Sequence, residues 1–420
     1  MPLQTIYPDV TIEESGLLHK INGVSTSIAA FVGYTPKGIF NKAVRIFSFI
    51  EYENLFGGLH QDSLLSYAIW QFFQNGGRDA YVVRVAGRPE KSRIYIPKRR
   101  QFSPRSRLSA GIRVNEYTLS DTADIIPNAP DLIGTYADKT GIYALQDVDS
   151  FNLLVIPDTT RLPHDSGKKS VIEAAIRFCE EYKAMYLIDP DPEKDASSII
   201  NWASAIRSRN AALYFPQIGI ADPLNGSSLT HKPPSGAIAG VFARTDERFG
   251  VWKAAAGTRA LLNGASGLAY QIRDREKEML TQAFINCLQT FQGNDVMIWG
   301  ARTLTENNGQ DQEWKYISVR RLTLFVEESI DRGTEWATFE SNDATLWNRL
   351  LIDIETFMYE LFLKGAFQGA NKKDAYFVKC DSETTTPNDI IDGSLNILVG
   401  FAPLKPAEFT IIRIKKNITV

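Results

Sequence analysis

Short apolar runs alternate with amphipathic stretches along most of this 420-residue chain. Residues 28–33 form an apolar run that ends at Gly33, consistent with a buried strand, and 44–49 are a second short strand candidate. Ser48 is placed to cap a helical turn carrying Tyr52, Leu55 and Phe56, with Gly57 and Gly58 as its stop. Leu64, Leu65, Ala68, Ile69 and Phe72 recur at helical spacing, and Asn75-Gly76-Gly77 closes that helix before a strand at 79–85. The pattern over 28–86 is therefore β-α-β. It resumes at 151–220, with strands at 153–156, 185–188 and 211–216 and helices at 171–183 and 196–207. Alternation of this kind predicts a largely parallel sheet.

Farther along, 274–291 reads as a helix, 296–299 as a strand, and 314–332 as a long helix or a strand-to-helix segment. Residues 344–364 form the clearest single element. Arg349, Asp353, Thr356, Glu360 and Lys364 fall on one helical face, and nearly every other position is apolar. Asp343 is its N-cap, Gly365 its stop, and its length is about 30 Å. The chain then returns to β character, with strands at 375–380 and 394–402 forming a hairpin. Beyond Pro403 and Pro406, residues 408–416 alternate as a third strand. At the other end, 1–26 reads as an extended arm in which Pro8 confines any strand to an edge.

Charge changes this picture at one place. Residues 88–113 carry nine basic side chains and one acid, and 114–149 carry seven acids and one lysine. The basic half alone would suit nucleic acid, but few aromatics interleave it and the acidic half follows directly. A solvated insertion whose halves partly neutralise each other fits better; a basic surface meeting an acidic partner subunit is the functional alternative. The net charge of −3 supplies no global field for nucleic acid or an anionic membrane. No apolar run reaches the roughly 18 residues of a membrane helix, and no secretory signal is visible at the start. Cys179, Cys287 and Cys380 are widely spaced, and the first two sit in helical patterns, as buried reduced thiols would.

The search for chemistry finds little. There is no phosphate-loop, dinucleotide-binding or zinc-protease motif, and Gly264-Ala265-Ser266-Gly267 lacks the spacing of a nucleophile elbow. His19, His60, His164 and His231 are scattered. Asp189, Asp191, Glu193 and Asp195 lack the glycine and terminal glutamate of a calcium loop and read as a solvated turn. Asn225-Gly226-Ser227 and Asn417-Ile418-Thr419 match glycosylation sequons, which mean nothing without a secretory signal. Arg244, Asp246 and Arg248 read as an ion-paired loop rather than a catalytic group. The expectation is no catalytic residue, no metal and no cofactor.

Several ordered blocks carry a resemblance. Residues 7–59 contain YPDVTIEES, INGVSTSIAAFVGYTPKG and SFIEYENLFGGL, and NGGRDAYVVRV follows at 75–85. GVFARTDERFGVWKAAAG stands at 240–257. Residues 346–414 contain LWNRLLIDIETFMYELFLKGAFQG, DAYFVKCD and LNILVGFAPLKPAEFTIIRI. Together these resemble the contractile tail sheath family of phage tails, pyocins and extracellular injection systems. Asp9 departs from the glycine common in that family, and Ala255 and Ala256 stand where it usually has a proline. Residues 88–150 match nothing in it.

The resemblance implies a mixed α/β fold. Its parts would be an arm at 1–26, an inner sheath domain at 27–87, a β-rich surface insertion at 88–150, an outer α/β domain at 151–262, a C-terminal inner domain at 263–402 and a second arm at 403–420. It implies a structural subunit, not an enzyme, that stacks as hexameric rings around an inner tube protein and contracts to drive that tube. Baseplate and terminal cap proteins would be further partners, sister sheath proteins could join, and the chain itself would bind no nucleic acid and enter no membrane. Assembly would take place in the bacterial cytoplasm, before release in a phage tail or tail-like particle; the size leans toward an injection system.

The arms would exchange strands between subunits through Ile6, Tyr7, Val10 and Ile12 at one end and Phe409, Ile411, Ile412 and Ile414 at the other. The hairpin receiving them would be Tyr376, Phe377 and Val378 with Ile397, Leu398 and Val399. Inner-tube contact would fall to Arg349, Asp353, Glu360 and Lys364, or to Lys372 and Lys373. Another component of the same machine, such as a baseplate protein, and an α/β enzyme remain alternatives.

Overall fold

Apolar runs of three to five residues become buried strands, and the amphipathic stretches between them become helices that cover both faces of the resulting sheet. A computed structural model describes residues 19–86, 126–290, 295–305, 312–404 and 410–417. The chain divides into two compact units, 25–324 and a second made of 1–24 with 325–420.

The first unit runs in the order β1 (Ala29–Gly33), β2 (Ala43–Ile46), α1 (Phe49–Phe56), α2 (Leu64–Gln74), β3 (Ala80–Arg84), α3 (Ala129–Ile133), β4 (Leu153–Val155), α4 (Asp165–Glu181), β5 (Met185–Ile188), α5 (Ala196–Ala203) and β6 (Ala211–Phe215). It continues through β7 (Ile218–Ala221), β8 (Leu229–Lys232), α6 (Ser235–Phe249), β9 (Leu261–Leu268), α7 (Asp274–Gln282), β10 (Asn286–Thr290), β11 (Asp295–Ile298) and the start of α8 (Ile317–Gly333). Its strands form one sheet in the order β2-β3-β1-β4-β5-β6-β10-β11-β9-β7-β8. The run from β3 to β10 is parallel. The period of two decides which side chain goes where. On β1, Ala30 and Val32 join the core under α3, α4 and α5, while Ala29 and Phe31 join the core under α1, α2 and α6.

Helices α2 and α6 lie close because α6 presents glycines. A Cβ at Gly236 would stand 2.1 Å from the Ala68 carbonyl oxygen, and one at Gly240 would stand 2.4 Å from that of Phe72. Caps follow the predicted residues: Ser48 accepts from the Glu51 N–H, and Gly57 closes α1 in the left-handed region.

Several expectations are revised. The helix expected over 274–291 ends at Gln282, and Cys287 lies on β10, which pairs with β6 on one side and β11 on the other. A short polar helix followed by a strand shares its first residues with the pattern of one longer helix. The 88–150 insertion was expected to be β-rich and on the surface. Its described part, 126–150, holds α3 and a 3-10 turn at Gly141–Leu145 instead, and buries Leu132, Ile142 and Leu145 against α4. Residues 27–87 share their sheet with 151–262, since β1 pairs with both β3 and β4, so the expected partition at these boundaries gives way to a single body.

Arg244, Asp246 and Arg248 sit on α6, not on a loop. The ion pair expected there does form for Asp246. Its carboxylate meets the Arg321 guanidinium at 2.5 Å with both side chains 4% exposed, and it accepts from the Thr26 hydroxyl at 2.7 Å. Arg321 also donates to the Thr26 carbonyl and packs over the Phe242 ring. Three distant segments of the body are thereby tied at one point.

The second unit contains the rest of α8, then α9 (Ala344–Leu363), α10 (Lys372–Ala375), β12 (Tyr376–Lys379), α11 (Pro387–Ile391), β13 (Ser394–Phe401) and β14 (Thr410–Asn417).

Two consequences of the body can be measured. Removing one partner of a buried pair leaves an unpaired charge, so Asp246→Ala should lower unfolding free energy by about 3–5 kcal/mol. The double variant Asp246→Ala/Arg321→Met should recover part of that loss in the same denaturant melts. Second, burial lifts the carboxyl of Asp158 to about 6 and that of Asp189 to about 7, against the bonds they accept from Tyr34 and Ser235. Both groups hold a proton in the folded state at pH values where the unfolded chain has lost it. Their contribution is therefore full below about pH 4 and is lost as pH rises toward 7. Asp189→Asn should flatten that part of the stability–pH curve relative to wild type, measured by urea unfolding between about pH 4 and 8.

Candidate assembly interface

The second unit is built round one strand. β13 pairs antiparallel with β12 from Tyr376↔Phe401 to Lys379↔Leu398. On its other side it pairs antiparallel with β14 over eight positions, from Phe401↔Thr410 to Ser394↔Asn417. Alternation along β13 buries Leu395, Ile397, Val399 and Phe401. Phe367 packs at a tilt against both Phe401 and Tyr376, and Tyr376 reaches the Phe362 ring of α9. Gly400 stands opposite Phe377, and a Cβ there would lie 2.3 Å from that ring, so only glycine lets the ring cross the strand.

The hairpin expected from the sequence is thus present as a structural element: Tyr376, Phe377 and Val378 on β12, and Ile397, Leu398 and Val399 on β13. The C-terminal strand is present too. Ile411, Ile412 and Ile414 lie opposite Gly400, Val399 and Ile397. The strand expected to leave its own subunit here lies on the hairpin of the same chain, which is the partner available to a single copy. Phe409 lies outside the described residues, as do Ile6, Tyr7, Val10 and Ile12 of the other arm. Among the described residues, no strand pairs with the outer edge of β12.

Helix α9 corrects the reading of its polar face. Asp343 caps it, accepting from the Thr345 and Leu346 N–H groups. Its buried stripe is Leu346, Leu350, Asp353, Ile354, Phe357, Met358 and Leu361. Asp353, expected at the surface, is 5% exposed; burial raises its carboxyl, against nearby His19 and Arg349. Arg349 lies over the Trp336 ring at 4.7 Å, and Glu360 meets Lys20 at 3.1 Å. The polar stripe is therefore largely engaged by the unit's own residues. Lys372 pairs with Glu355 at 3.0 Å, while Lys364 and Lys373 are exposed. The outward face is a stripe the polar pattern did not reveal: Asn348, Ile352, Thr356, Tyr359 and Leu363, with Ile352 50% and Leu363 66% exposed. A helix apolar nearly all round gives no periodic signal saying which side its neighbours cover.

An enzyme would need convergent, uncommitted polar groups. The body has a cleft of about 430 Å³ at the carboxyl ends of β4 and β5, lined by Arg161, Lys168, Asp191, Glu193 and His231 among others. Two of its charges, Lys168 and Asp191, are tied to each other. Lys168 meets Asp191 at 2.7 Å in a buried pair, Lys194 bridges Asp191 and Asp165, and the Glu193 N–H donates to Asp191. The rest of the acidic turn is equally engaged. Asp189 accepts from the Ser235 N–H and hydroxyl at the start of α6, and Asp195 caps α5. Cys179, Cys287 and Cys380 are buried free thiols.

Comparison with known proteins gives the family and the fold. Residues 134–304 match the central domain of the phage tail sheath protein, and 309–416 match the phage tail sheath C-terminal domain. A protein of Pseudomonas aeruginosa described as a prophage major tail sheath protein is 22% identical over 282 residues, 66% of this chain and 69% of that one. The tail sheath protein of Vibrio phage KVP40 is 29% identical over 178 residues, but that match spans only 25% of the phage protein. Among solved structures, the PVC sheath complex of an extracellular contractile injection system, in its contracted state, matches with TM-score 0.69 and 26% identity over 98% of both chains. The contracted helical sheath of the anti-feeding prophage also matches with TM-score 0.69 and 26% identity, over 98% of this chain and 99% of that one. A sheath tail protein from Desulfitobacterium hafniense, 13% identical with TM-score 0.61, shares the fold. With its mixed α/β body, its C-terminal hairpin and two matched domains that together cover about two thirds of its length, the chain belongs to the phage tail sheath protein family.

Proposed function

We propose that this chain is a non-enzymatic sheath subunit that polymerises as stacked hexameric rings round an inner tube and shortens to drive that tube into a target. The observation that carries this reading is the eight-residue pairing of β14 with β13. Ala402 to Phe409, with Pro403 and Pro406 in it, joins the two strands. The backbone bonds they make do not depend on which chain supplies β14. Within one chain the strand closes its own sheet; in a polymer the same register can be filled by a neighbour's strand, as in β-augmentation and domain swapping. Each bond adds only about 0.5–1.5 kcal/mol net, but a strand makes several per neighbour and the lattice repeats them.

The outer edge of β12, which pairs with no strand among the described residues, would be the matching place for an N-terminal arm carrying Ile6, Tyr7, Val10 and Ile12. An open edge, together with an exposed apolar stripe on α9, is a liability in a monomer and useful in a polymer. In this reading the paired arms act as hinges while the sheet-and-helix bodies move as rigid blocks into a shorter, wider lattice. Lys364, Lys372 and Lys373 are the remaining candidates for gripping the tube. Baseplate and cap proteins would hold the two ends; a 25% identical match to a chain of the anti-feeding prophage baseplate supports the first of these. The match to injection-system sheaths at 26% identity and TM-score 0.69 favours an extracellular contractile particle, assembled in the bacterial cytoplasm.

Truncation before Ala407 should leave a folded monomer by circular dichroism and abolish tubes in electron micrographs; tubes of normal yield would refute the arm mechanism. Charge reversal at Lys364 and Lys373 should weaken co-sedimentation of sheath with the inner tube protein while leaving sheath-only tubes intact. Unchanged co-sedimentation removes these two lysines from the tube contact.

A further inference from the structure

The C-terminal end of α6 carries a cleft that the arm mechanism does not use. It encloses about 390 Å³ and is lined by Arg244, Arg248, Arg259, Thr258, Phe249 and Asn263 among others, with no carboxylate among the described lining residues. The guanidinium of Arg244 is held in place by donating to the Leu261 carbonyl at 2.7 Å, and Arg259 lies over the Phe249 ring at 5.2 Å. Two acids stand beside these arginines in sequence, and both are engaged elsewhere. Asp246 is locked to Arg321, and Glu247 pairs with Arg78 at 2.5 Å. Burial and then neighbouring Arg248 lower the affinity of Arg244 for its proton, as expected where cations face one another with no counter-charge among the described residues of the cleft. Like charges gathered without a partner are costly unless something anionic completes the site. Planar guanidinium groups fixed by packing suit a carboxylate or another flat oxyanion.

The same chain carries a complementary surface. The turn from Asp381 to Asp392, between β12 and β13, holds four carboxylates (Asp381, Glu383, Asp389, Asp392) and no basic residue; Glu383 meets Lys379 in an exposed pair at 3.2 Å, and Asp381 and Asp389 accept local hydrogen bonds that leave their negative charge in place. It also presents Ile391 at 82% exposure, an apolar tip of a size to meet the half-exposed Phe249 ring in the cleft. We propose that the Arg244–Arg248–Arg259 cleft of one copy receives the acidic Asp381–Asp392 turn of a second copy. This rests on the polymerising function proposed above. A basic cleft and an acidic turn at different places on the molecule make a head-to-tail contact, the kind that propagates into rings or helical tubes rather than closing a dimer.

Charge exchange in the full-length chain tests this. Wild-type tubes, pelleted and imaged over a series of salt concentrations, should decline in yield as salt rises. Their absence under every condition would count against the polymerising function itself, separately from this contact. Arg248→Glu/Arg259→Glu should reduce tube yield by roughly tenfold or more at low salt with an unchanged melting temperature. Adding Glu383→Lys/Asp392→Lys in the same chain should restore it. The neutral Arg248→Gln/Arg259→Gln variant should fall between the two and covers the case in which the reversed one fails to fold. Tubes of wild-type yield and salt response from either arginine variant would overturn the contact. Loss without restoration by the lysine pair would overturn the assigned occupant. Saturable binding of inorganic phosphate to wild-type monomer, absent from the variant and without effect of the lysine pair, would assign the cleft to a free anion instead.

Discussion

A strand in the middle of a sheet must satisfy backbone donors and acceptors on both sides, and the second unit is arranged to meet that demand on β13. β12 covers one side over four positions and β14 covers the other over eight. The apolar stripe of α9 and the Phe367–Tyr376–Phe401 cluster bury the sheet's inner face. Gly400 has no side chain because Phe377 crosses there. Backbone hydrogen bonds carry no record of which chain supplies them. A structure closed in this way within one copy can be closed between copies without changing a residue, and that is the source of cohesion proposed for the sheath.

The body works differently. Its sheet is buried on both faces by helices, and several of its buried charges are spent on internal ties. Asp246, Arg321 and Thr26 clamp three distant segments. Asp189 holds the start of α6, and Lys168 neutralises Asp191 inside the fold. Buried pairs of this kind add little net stability but penalise alternative arrangements. That suits the rigid block proposed for the sheath. One group of charges that the body leaves without a counter-charge among the described residues lies at its surface, at the arginine cleft on α6.

Much of this architecture is legible in the sequence. The β-α-β pattern at 28–86 and the alternation at 151–220 correspond to β1–β3 and β4–β6 with little displacement, since short apolar runs bounded by Gly, Asn and Asp punctuation have few other uses. The hairpin and the terminal strand are where alternation and the prolines place them. The failures share a cause. Residues 274–291 divide into α7 and β10 because strand pairing with β6 outweighs a continuing helical pattern. Residues 126–150 fold as helix and 3-10 turn because Leu132, Ile142 and Leu145 are drawn into a core that local charge does not reveal. Asp353 looks like a surface residue by type, yet it is buried beside His19, a residue more than three hundred positions away in the chain.

Sequence alone therefore determined most of the elements outside 126–150 and 274–291, their order, the sheath resemblance and the location of the terminal strand. Those follow from local periodicity and from motifs carried in contiguous residues. Only tertiary structure decided which face of α9 is outward, that α6 and not a loop presents the arginines, and that Asp246 and Glu247 are unavailable to balance them. Each of those depends on a partner distant in sequence, Trp336, Arg321 or Arg78, and periodicity carries no information about distant partners.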